Sequence, residues 1–203
     1  MKVMQKKQIF LVSVTRLTLQ QQMDIRDIRN AEDIRRWMYS DHLISVEEHT
    51  QWISKLKNDD INRVFAILDE ESKVLGVVSA NLIDTHHKKC DWAYYLADSA
   101  RGGLGSAIEY CFIDYVFQSL SMEKLNCEVL EENDAVVKMH KKFLFEEEGY
   151  RRSNIFKKGR RVGVHFLGLR KEDWEAGKNS VRDKYSAILG KFDISMLDGQ
   201  EAS

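Results

Sequence analysis

A glycine-rich loop between an apolar strand and an amphipathic helix constrains this chain more than any other feature. Residues 90–120 read CDWAYYLADSARGGLGSAIEYCFIDYVFQSL, in which strand-like spacing of aromatic residues gives way to helical spacing of apolar ones. Gly102, Gly103 and Gly105 stand at the start of the helix. Because glycine has no Cβ, several backbone N–H groups and the positive end of the helix dipole can approach one ligand. The pattern predicts a phosphate-binding loop, although a tight strand-to-helix turn also favours glycine.

The glycine spacing and the overall charge disfavour several classes of protein. The loop is neither GxxxxGK[ST] nor GxGxxG and lies in the middle of the chain, which disfavours a nucleoside triphosphatase or a dinucleotide-dependent dehydrogenase. A chain of 203 residues with 43% hydrophobic and 31% charged residues is typical of a globular domain. Its formal net charge of -1 provides no general attraction for nucleic acid or an anionic membrane, so neither is expected as a partner.

The cysteines and the N-terminus indicate a cytoplasmic protein. Cys90, Cys111 and Cys127 are odd in number and widely spaced without a CxxC pair, which disfavours both a disulfide framework and a structural zinc site. The sequence HHKKC at 86–90 lacks a fourth ligand at standard spacing, so no metal is predicted. The apolar run at 9–14 is too short for a signal peptide and no cleavage site follows it.

The hydrophobic patterns predict a mixed α/β (α+β) domain. Helices are expected at 31–39 after an Asn30 cap, and from the capping-box pair Ser45 and Glu48 to about residue 58. A helix is also expected at 133–143, after the glycine-headed helix. Residues 1–22 are interpreted as an extension or first strand, 23–174 as the main domain and 175–203 as a helical tail. The tail is expected to pack on the domain or on a partner, and a homodimer is one such assembly. The predicted strands are 63–68, 74–83, the one beginning at residue 90, 124–130, and the hairpin 150–156 with 162–169.

This order of elements, with the glycine loop after the fourth strand and NDAVVKMHKKFLF after the fifth, resembles the GCN5-related N-acetyltransferases (GNAT). The resemblance covers about residues 23–174. It implies a mixed, mostly antiparallel sheet of six to seven strands, with a V-shaped splay between strands 4 and 5 and about four flanking helices. It also implies direct transfer of an acetyl group from acetyl-CoA to an amine.

The resemblance assigns the CoA-binding residues. The family loop motif [QR]xxGx[GA] falls on residues 100–105, with Ala100 at the Gln/Arg position and Arg101 one residue later. Loop amides are expected to hold the pyrophosphate, and amides near the end of the preceding strand to polarise the thioester and pair with the pantetheine arm. The implied CoA contacts are Leu96, Ala97, Arg101, Gly102, Gly103, Leu104, Gly105, Ser106, Asn133 and Lys142.

A second family motif, NxxAxxLYxKxGF, places His140 at the position of the usual tyrosine and Leu144 at that of a glycine. The resemblance implies that His140 protonates the departing CoA thiolate. A histidine has a lower intrinsic pKa than a tyrosine, which suits this step near neutral pH. The alternative is a core histidine, because apolar residues share its helical face. The residues that match the motif are Asn133, Met139, Lys142 and Phe145.

Glu128 is the candidate base that accepts the proton of the amine, directly or through water; the alternative is a surface glutamate on an edge strand. Cys127 is interpreted as a structural cysteine, because no histidine–carboxylate partner is recognisable beside it and direct transfer needs none. Tyr94 and Tyr95 point to opposite faces of their strand, so one faces the cleft and the other the core. The sequence does not distinguish them.

The acceptor is assigned by a closer resemblance within the family. RNAEDIRRWMYSDHLISVEEHTQWI, EVLEEN and VGVHFLGLRKEDW resemble the N-acetyltransferases that modify a UDP-linked 4-amino-4,6-dideoxy sugar in pseudaminic acid biosynthesis. Ribosomal-protein N-terminal acetyltransferases, polyamine acetyltransferases and a non-catalytic CoA-binding module are the alternatives. A UDP-amino sugar needs cationic and aromatic groups. The predicted acceptor contacts are Arg29, Trp37, Tyr39 and Tyr94.

Overall fold

One sheet of eight strands organises residues 6–100 and 102–197, the part of the chain that the computed structural model describes. The strand order is β6-β7-β5-β4-β3-β2-β1-β8. Neighbours pair antiparallel except for the parallel pairs β4 with β5 and β1 with β8. The strands are β1 (Lys7–Ser13), β2 (Arg63–Asp69), β3 (Val74–Asp84), β4 (Lys89–Leu96), β5 (Lys124–Leu130), β6 (Glu146–Lys157), β7 (Arg160–Arg170) and β8 (Phe192–Leu197).

The helices flank this sheet, and α4 continues into a π-helical turn at Tyr115–Ser119. The glycine loop leads from β4 into α4, while α5 follows β5 and precedes the β6–β7 hairpin. The α-helices are α1 (Leu19–Asn30), α2 (Glu32–Arg35), α3 (Val46–Leu56), α4 (Leu104–Asp114), α5 (Asp134–Lys142), α6 (Lys171–Lys184) and α7 (Ser186–Leu189).

The first helix is not where the pattern predicted it. Thr18 caps α1 through a reciprocal capping box with Gln21, so the helix ends at Asn30 instead of starting after it. The Asn30 amide instead brackets the backbone of Ile44, accepting from its N–H at 2.8 Å and donating to its carbonyl at 3.0 Å. Of the predicted helix at 31–39, only α2 forms. The capping box of Ser45 and Glu48 is confirmed at the start of α3.

The predicted splay lies between β4 and β5. Their parallel pairing covers only 89–91 against 124–126, and beyond Asp91 and Asn126 the strands diverge. β4 continues to pair with β3, and β5 with β7, so each half of the sheet stays intact. The divergence opens a wedge in the middle of the sheet, next to the glycine loop.

Two apolar clusters cover the two faces of the sheet. On one, which we call the α4 face, Trp92, Leu125 and Cys127 pack with residues of α4 and α5. On the opposite α1 face, Ala66 and Val77 pack with residues of α1 and α3. Since strand side chains alternate between faces, adjacent residues of β4 and β5 present their side chains to different faces of the wedge.

The sheet is larger than the six to seven strands predicted, and the C-terminal tail is not entirely helical. After α6 and α7, residues 192–197 form β8 and pair with β1 from Lys7 to Val12. Thus β1 is an internal strand, and α1 and α6 cross the predicted boundaries at residues 23 and 175. The tail packs on the domain itself, where Ile188 contacts the glycine loop. Within the described residues, no helix has the length and apolar character needed to cross a membrane.

Candidate active site

The wedge between β4 and β5 contains a cavity of roughly 600 Å³, the main cavity. Trp37 and Tyr39 line it from the segment after α2, and Asn133 lines it from the start of α5. Within β5, Cys127 belongs to the α4 face, and alternation places Glu128 on the α1 face. The cavity also contains His140, so both predicted catalytic residues line the same space.

The glycine loop has the geometry of an anion site. Gly102 and Gly103 have φ angles of 109° and 103°, which side-chain-bearing residues rarely adopt. Gly103 caps α4 without any side-chain hydrogen bond, and the first backbone bond of the helix runs from Ala107 N to the Gly103 carbonyl. The N–H groups of 104–106 therefore point out of the helix start, as a phosphate ligand requires. Arg101, also predicted to contact CoA, lies outside the described residues.

The backbone amides of Leu96 and Ala97, both predicted to contact CoA, differ in whether the sheet already uses their N–H groups. Ala97 donates its N–H to the Leu75 carbonyl at 2.8 Å, so this amide already takes part in the sheet. Because strand N–H groups alternate between edges, the Leu96 N–H points to the other edge, where β5 has diverged. Leu96 lines the main cavity and can donate to a thioester carbonyl or a pantetheine amide.

His140 forms a buried pair with Glu109 of α4. His140 Nδ1 lies 2.7 Å from Glu109 Oε1, and the two residues are 4% and 0% exposed. Burial disfavours the charged imidazole, but the Glu109 carboxylate and Cys127 outweigh it and raise the pKa of His140 to about 10. The imidazole is therefore protonated at neutral pH and can donate a proton. The alternative of a core histidine on an apolar helical face does not account for the Glu109 carboxylate.

Glu128 meets a different environment on the α1 face. Its carboxylate accepts a hydrogen bond from the Tyr39 hydroxyl, and burial together with this bond raises the pKa of Tyr39. Asp91 lies across the wedge and receives a 3.2 Å hydrogen bond from Asn126. Burial raises the pKa of Asp91, and the nearby Glu128 charge adds to the effect. Two carboxyl groups thus face the space where an amine would approach.

Lys157 positions the backbone segment after α2 that lines the main cavity. The sequence interpretation missed this role. Lys157 belongs to a run of basic residues at the turn between β6 and β7, but it is 7% exposed and its ammonium donates to three backbone carbonyls. These belong to Arg35, at 3.1 Å, to Arg36, at 2.8 Å, and to Met38. The bonds hold the end of α2 and the segment that carries Trp37 and Tyr39. Only a contact between positions more than 100 residues apart reveals this role.

A second cavity of roughly 500 Å³ adjoins the main one on the α1 face, between β3, β4, α1 and α3. Arg29 lines this second cavity rather than the main one, where its predicted companions lie. Arg29 Nη1 and His49 Nε2 are both buried and find no hydrogen-bond partner among the described residues. Tyr95 lines it too, whereas Tyr94 packs on the α4 face beside His140. Hence Tyr94, predicted to contact the acceptor, lies on the face of the glycine loop.

The two remaining predicted CoA contacts, Asn133 and Lys142, lie at opposite ends of α5. Asn133 caps the helix and lines the main cavity. Lys142 lies outside this cavity, at the exposed end of α5, in a groove shared with Lys138, Lys141 and Lys184. Leu144, at the family glycine position, has φ 71°, which explains why glycine suits it. Within the described residues, no group of three or more potential metal ligands converges.

We expect Ser106→Glu to weaken acetyl-CoA binding at least about 10-fold, because it places a carboxylate beside the phosphate-binding N–H groups. The same charge at a helix N-terminus favours the helix, so the melting temperature should not fall. Titration calorimetry measures the affinity, and Ser106→Gln is the neutral control of the same shape. Equal affinity of the two variants would contradict the assignment. Gly103→Glu is a poorer test, since a Cβ there would lie 2.7 Å from Ile188.

Comparison with known proteins agrees with this geometry. The acetyltransferase (GNAT) domain model matches residues 14–146, well over half of the chain. The chain belongs to the GNAT acetyltransferase family. The GNAT sheet predicted from the sequence and the assignment as an acyltransferase are thereby confirmed, and enzymes of this family take the acetyl group from acetyl-CoA.

Three proteins similar to this GNAT enzyme illustrate the relationship. It is 30% identical to the uncharacterized N-acetyltransferase p20 of Bacillus licheniformis over 56% of its own length and 64% of that protein's. It is 28% identical to the acetyltransferase PseH of Campylobacter jejuni over 65% and 81%. The structure of spermidine N-acetyltransferase from Vibrio cholerae with CoA and spermine matches with a TM-score of 0.76 and 21% identity, covering 82% and 98%. The last likeness shows the fold.

Proposed function

We propose that this GNAT enzyme acetylates the 4-amino group of a UDP-linked 4-amino-4,6-dideoxy sugar. One observation carries the proposal: in the part of the chain that the structure describes, Arg29 Nη1 and His49 Nε2 of the second cavity have no hydrogen-bond partner. Unsatisfied buried polar groups are costly, so a ligand that satisfies both gains specificity as well as affinity.

The second cavity favours a pyrimidine ring such as uracil. Burial lowers the pKa of His49, although a hydrogen bond with the Gln22 backbone acts in the opposite direction. A neutral imidazole has one acceptor nitrogen, and Nε2 in that role stands next to the Arg29 donor. Uracil carries an N–H between two carbonyl groups, which complements such a pair. The Trp52 ring, 5.3 Å from that of His49 and 37% exposed, supplies a flat apolar face.

The two cavities adjoin along the α1 face, where four residues line both. A base bound beside His49 would thus be linked through its diphosphate and sugar to the carboxylate of Glu128 in the main cavity. In the second cavity, the carboxylates of Glu48 and Asp59 already form hydrogen bonds with His42 and Asn62. The shared residues are Val77, Ser79, Asn81 and Tyr95.

The geometry supports a proton path on each side of the wedge. On the α1 face, Glu128 accepts the proton that the sugar amine loses on attack. The Leu96 N–H stabilises the oxyanion that forms on the carbonyl carbon of the acetyl group. On the α4 face, protonated His140 delivers a proton to the departing CoA thiolate, and Glu109 holds the imidazole in place.

A turnover screen tests the acceptor. Acetyl-CoA consumption is measured with a UDP-4-amino-4,6-dideoxy sugar, with a ribosomal-protein N-terminal peptide and with spermidine. We expect turnover with the sugar, and inhibition by UDP that is competitive against the sugar but not against acetyl-CoA. Turnover of the peptide or of spermidine alone, unaffected by UDP, would overturn the proposed acceptor. CoA binding without turnover of any of the three would favour the non-catalytic module.

Removing either polar group of the second cavity should weaken nucleotide binding selectively. We expect His49→Phe, which keeps the ring and removes Nε2, to raise the KM for the UDP-sugar roughly 10-fold or more. Arg29→Lys should act in the same direction because a lysine lacks the planar fork. The KM for acetyl-CoA should change little. Gln51→Ala, an exposed position on α3, is the matched control. Unchanged UDP affinity in both variants, measured by calorimetry, would contradict the base site.

A further inference from the structure

The last strand, β8, forms one edge of the sheet and lies beyond the part of the chain that the family model matches, which ends at residue 146. Among the described strands, only β1 pairs with β8, in parallel along all of its residues. Lys7 N–H donates to the Lys191 carbonyl at 2.9 Å, so the odd-numbered residues of β8 direct their backbone groups toward β1. The N–H and C=O groups of Phe192, Ile194 and Met196 therefore point away from the sheet.

The opposite edge of the sheet, β6, is protected against further pairing. Its register with β7 shifts at two bulges, and Ser153 in the second has φ 52°. Bulges of this kind bend a strand and prevent another strand from pairing along it. By contrast, β8 runs against β1 without a register shift, and its one charged side chain is that of Asp193. Its edge is therefore a regular template for another strand.

The sequence of β8, FDISML, is complementary to a second copy of itself in antiparallel orientation. Two outward-pointing residues can form a hydrogen-bonded pair, so a two-fold axis can pass through Ile194. Phe192 then stands opposite Met196 of the second copy, and Asp193 opposite Ser195. An axis at Asp193 would instead bring two carboxylates face to face, which is destabilising. An axis at Ser195 would leave Phe192 without a partner in the other β8.

We propose that two copies of this chain join through β8, antiparallel about Ile194, so that their sheets form one continuous sheet across a two-fold axis. The outward N–H and C=O groups of residues 192, 194 and 196 supply the hydrogen bonds between the copies. The inference does not depend on which amine the enzyme acetylates.

The side chains beside this edge favour the same partner. Phe192, Ile194 and Met196 are half-buried and pack on the α4 face, next to the buried Ile9 of β1. Pairing about Ile194 brings these apolar side chains together with the same three of the second copy, which extends the apolar layer across the axis. The interface also lies beside the glycine loop, because a Cβ at Gly103 would lie 3.9 Å from the Phe192 ring.

The sign of a charge at residue 195 tests the register. The molar mass of the full chain is measured by sedimentation over a range of protein concentrations, and we expect a dimer. Ser195→Asp sets a carboxylate opposite Asp193 twice in each dimer and should raise the dissociation constant at least about 5-fold. Ser195→Lys sets opposite charges there and should leave the dissociation constant equal or lower. A general effect on folding at this one position would not depend on the sign of the charge.

A backbone substitution tests the edge itself. Ile194→Pro removes an outward N–H that the monomer does not use, and proline is tolerated on edge strands. We expect it to raise the dissociation constant at least about 10-fold. Ile194→Ala is the matched control, because it loses the same side chain but keeps the N–H, and it should dimerise more tightly than the proline variant. Thermal melting checks that both variants are folded.

A chain that stays monomeric at every concentration would overturn the inference. Equal dissociation constants for Ser195→Asp and Ser195→Lys would overturn it too, because the dimer would then use another surface or register. Hydrogen exchange distinguishes another occupant of the edge: slow exchange at the amides of 192, 194 and 196 in a monomer would assign the edge to a segment of the same chain. None of these results bears on the proposed acceptor.

Discussion

Glu128→Gln will lower kcat/KM for the amine acceptor about 100-fold or more, while the affinity for acetyl-CoA stays at the wild-type value. Glutamine has the shape of glutamate but cannot take the proton of an attacking amine, and a loss of this size is usual for general acid–base groups. The side chain lies on the α1 face and accepts from Tyr39, away from the glycine loop. Donor binding should therefore be unaffected.

Steady-state rates and CoA calorimetry on the same preparations measure the two quantities. Glu132→Gln is the matched control, because Glu132 follows β5 and pairs with exposed Arg160 outside the cavity. It should keep wild-type rates. If Glu128→Gln also keeps wild-type rates at every pH from acid to alkaline, Glu128 is a surface residue of the wedge and another group takes the proton of the amine.

His140→Asn will have a comparable effect, lowering kcat/KM about 100-fold or more. The asparagine amide can still donate to Glu109 where His140 Nδ1 does, so the buried carboxylate keeps a partner. The second ring nitrogen is lost, and with it the proposed proton donor to the CoA thiolate. A wild-type rate in this variant would reduce His140 to a core residue.

The pH dependence of kcat provides an independent test. The acid must be protonated, and Glu109 helps to raise the pKa of His140 to about 10, so activity should persist well above the ordinary histidine pKa of ~6.5. Activity should fall as the pH rises through the raised pKa. Glu109→Gln removes the carboxylate charge, so the alkaline limb should shift to lower pH. A structural role for Glu109 would lower stability without moving that limb.

Much of the site could be predicted because its signals lie close together along the chain. The glycines at 102–105, the alternation of β4 and the capping box at Ser45 each act through neighbouring residues, and all appear in the structure. The splay between β4 and β5 was predicted from the family resemblance. The first helix was misplaced because a polar run at 20–24 was not interpreted as helical, although Thr18 and Gln21 form a capping box there.

The contacts between distant segments depend on the tertiary fold. Glu109 stands on an apolar helix 31 positions before the histidine that it binds, and Lys157 reaches the end of α2 across more than 100 residues. His49 and Arg29 acquire a role only because α1 and α3 bury them beside a cavity. Helix caps and strand periodicity depend on local backbone geometry, which adjacent residues determine. The protonation and pairing of buried polar groups depend on desolvation and on partners that chain folding alone brings within reach.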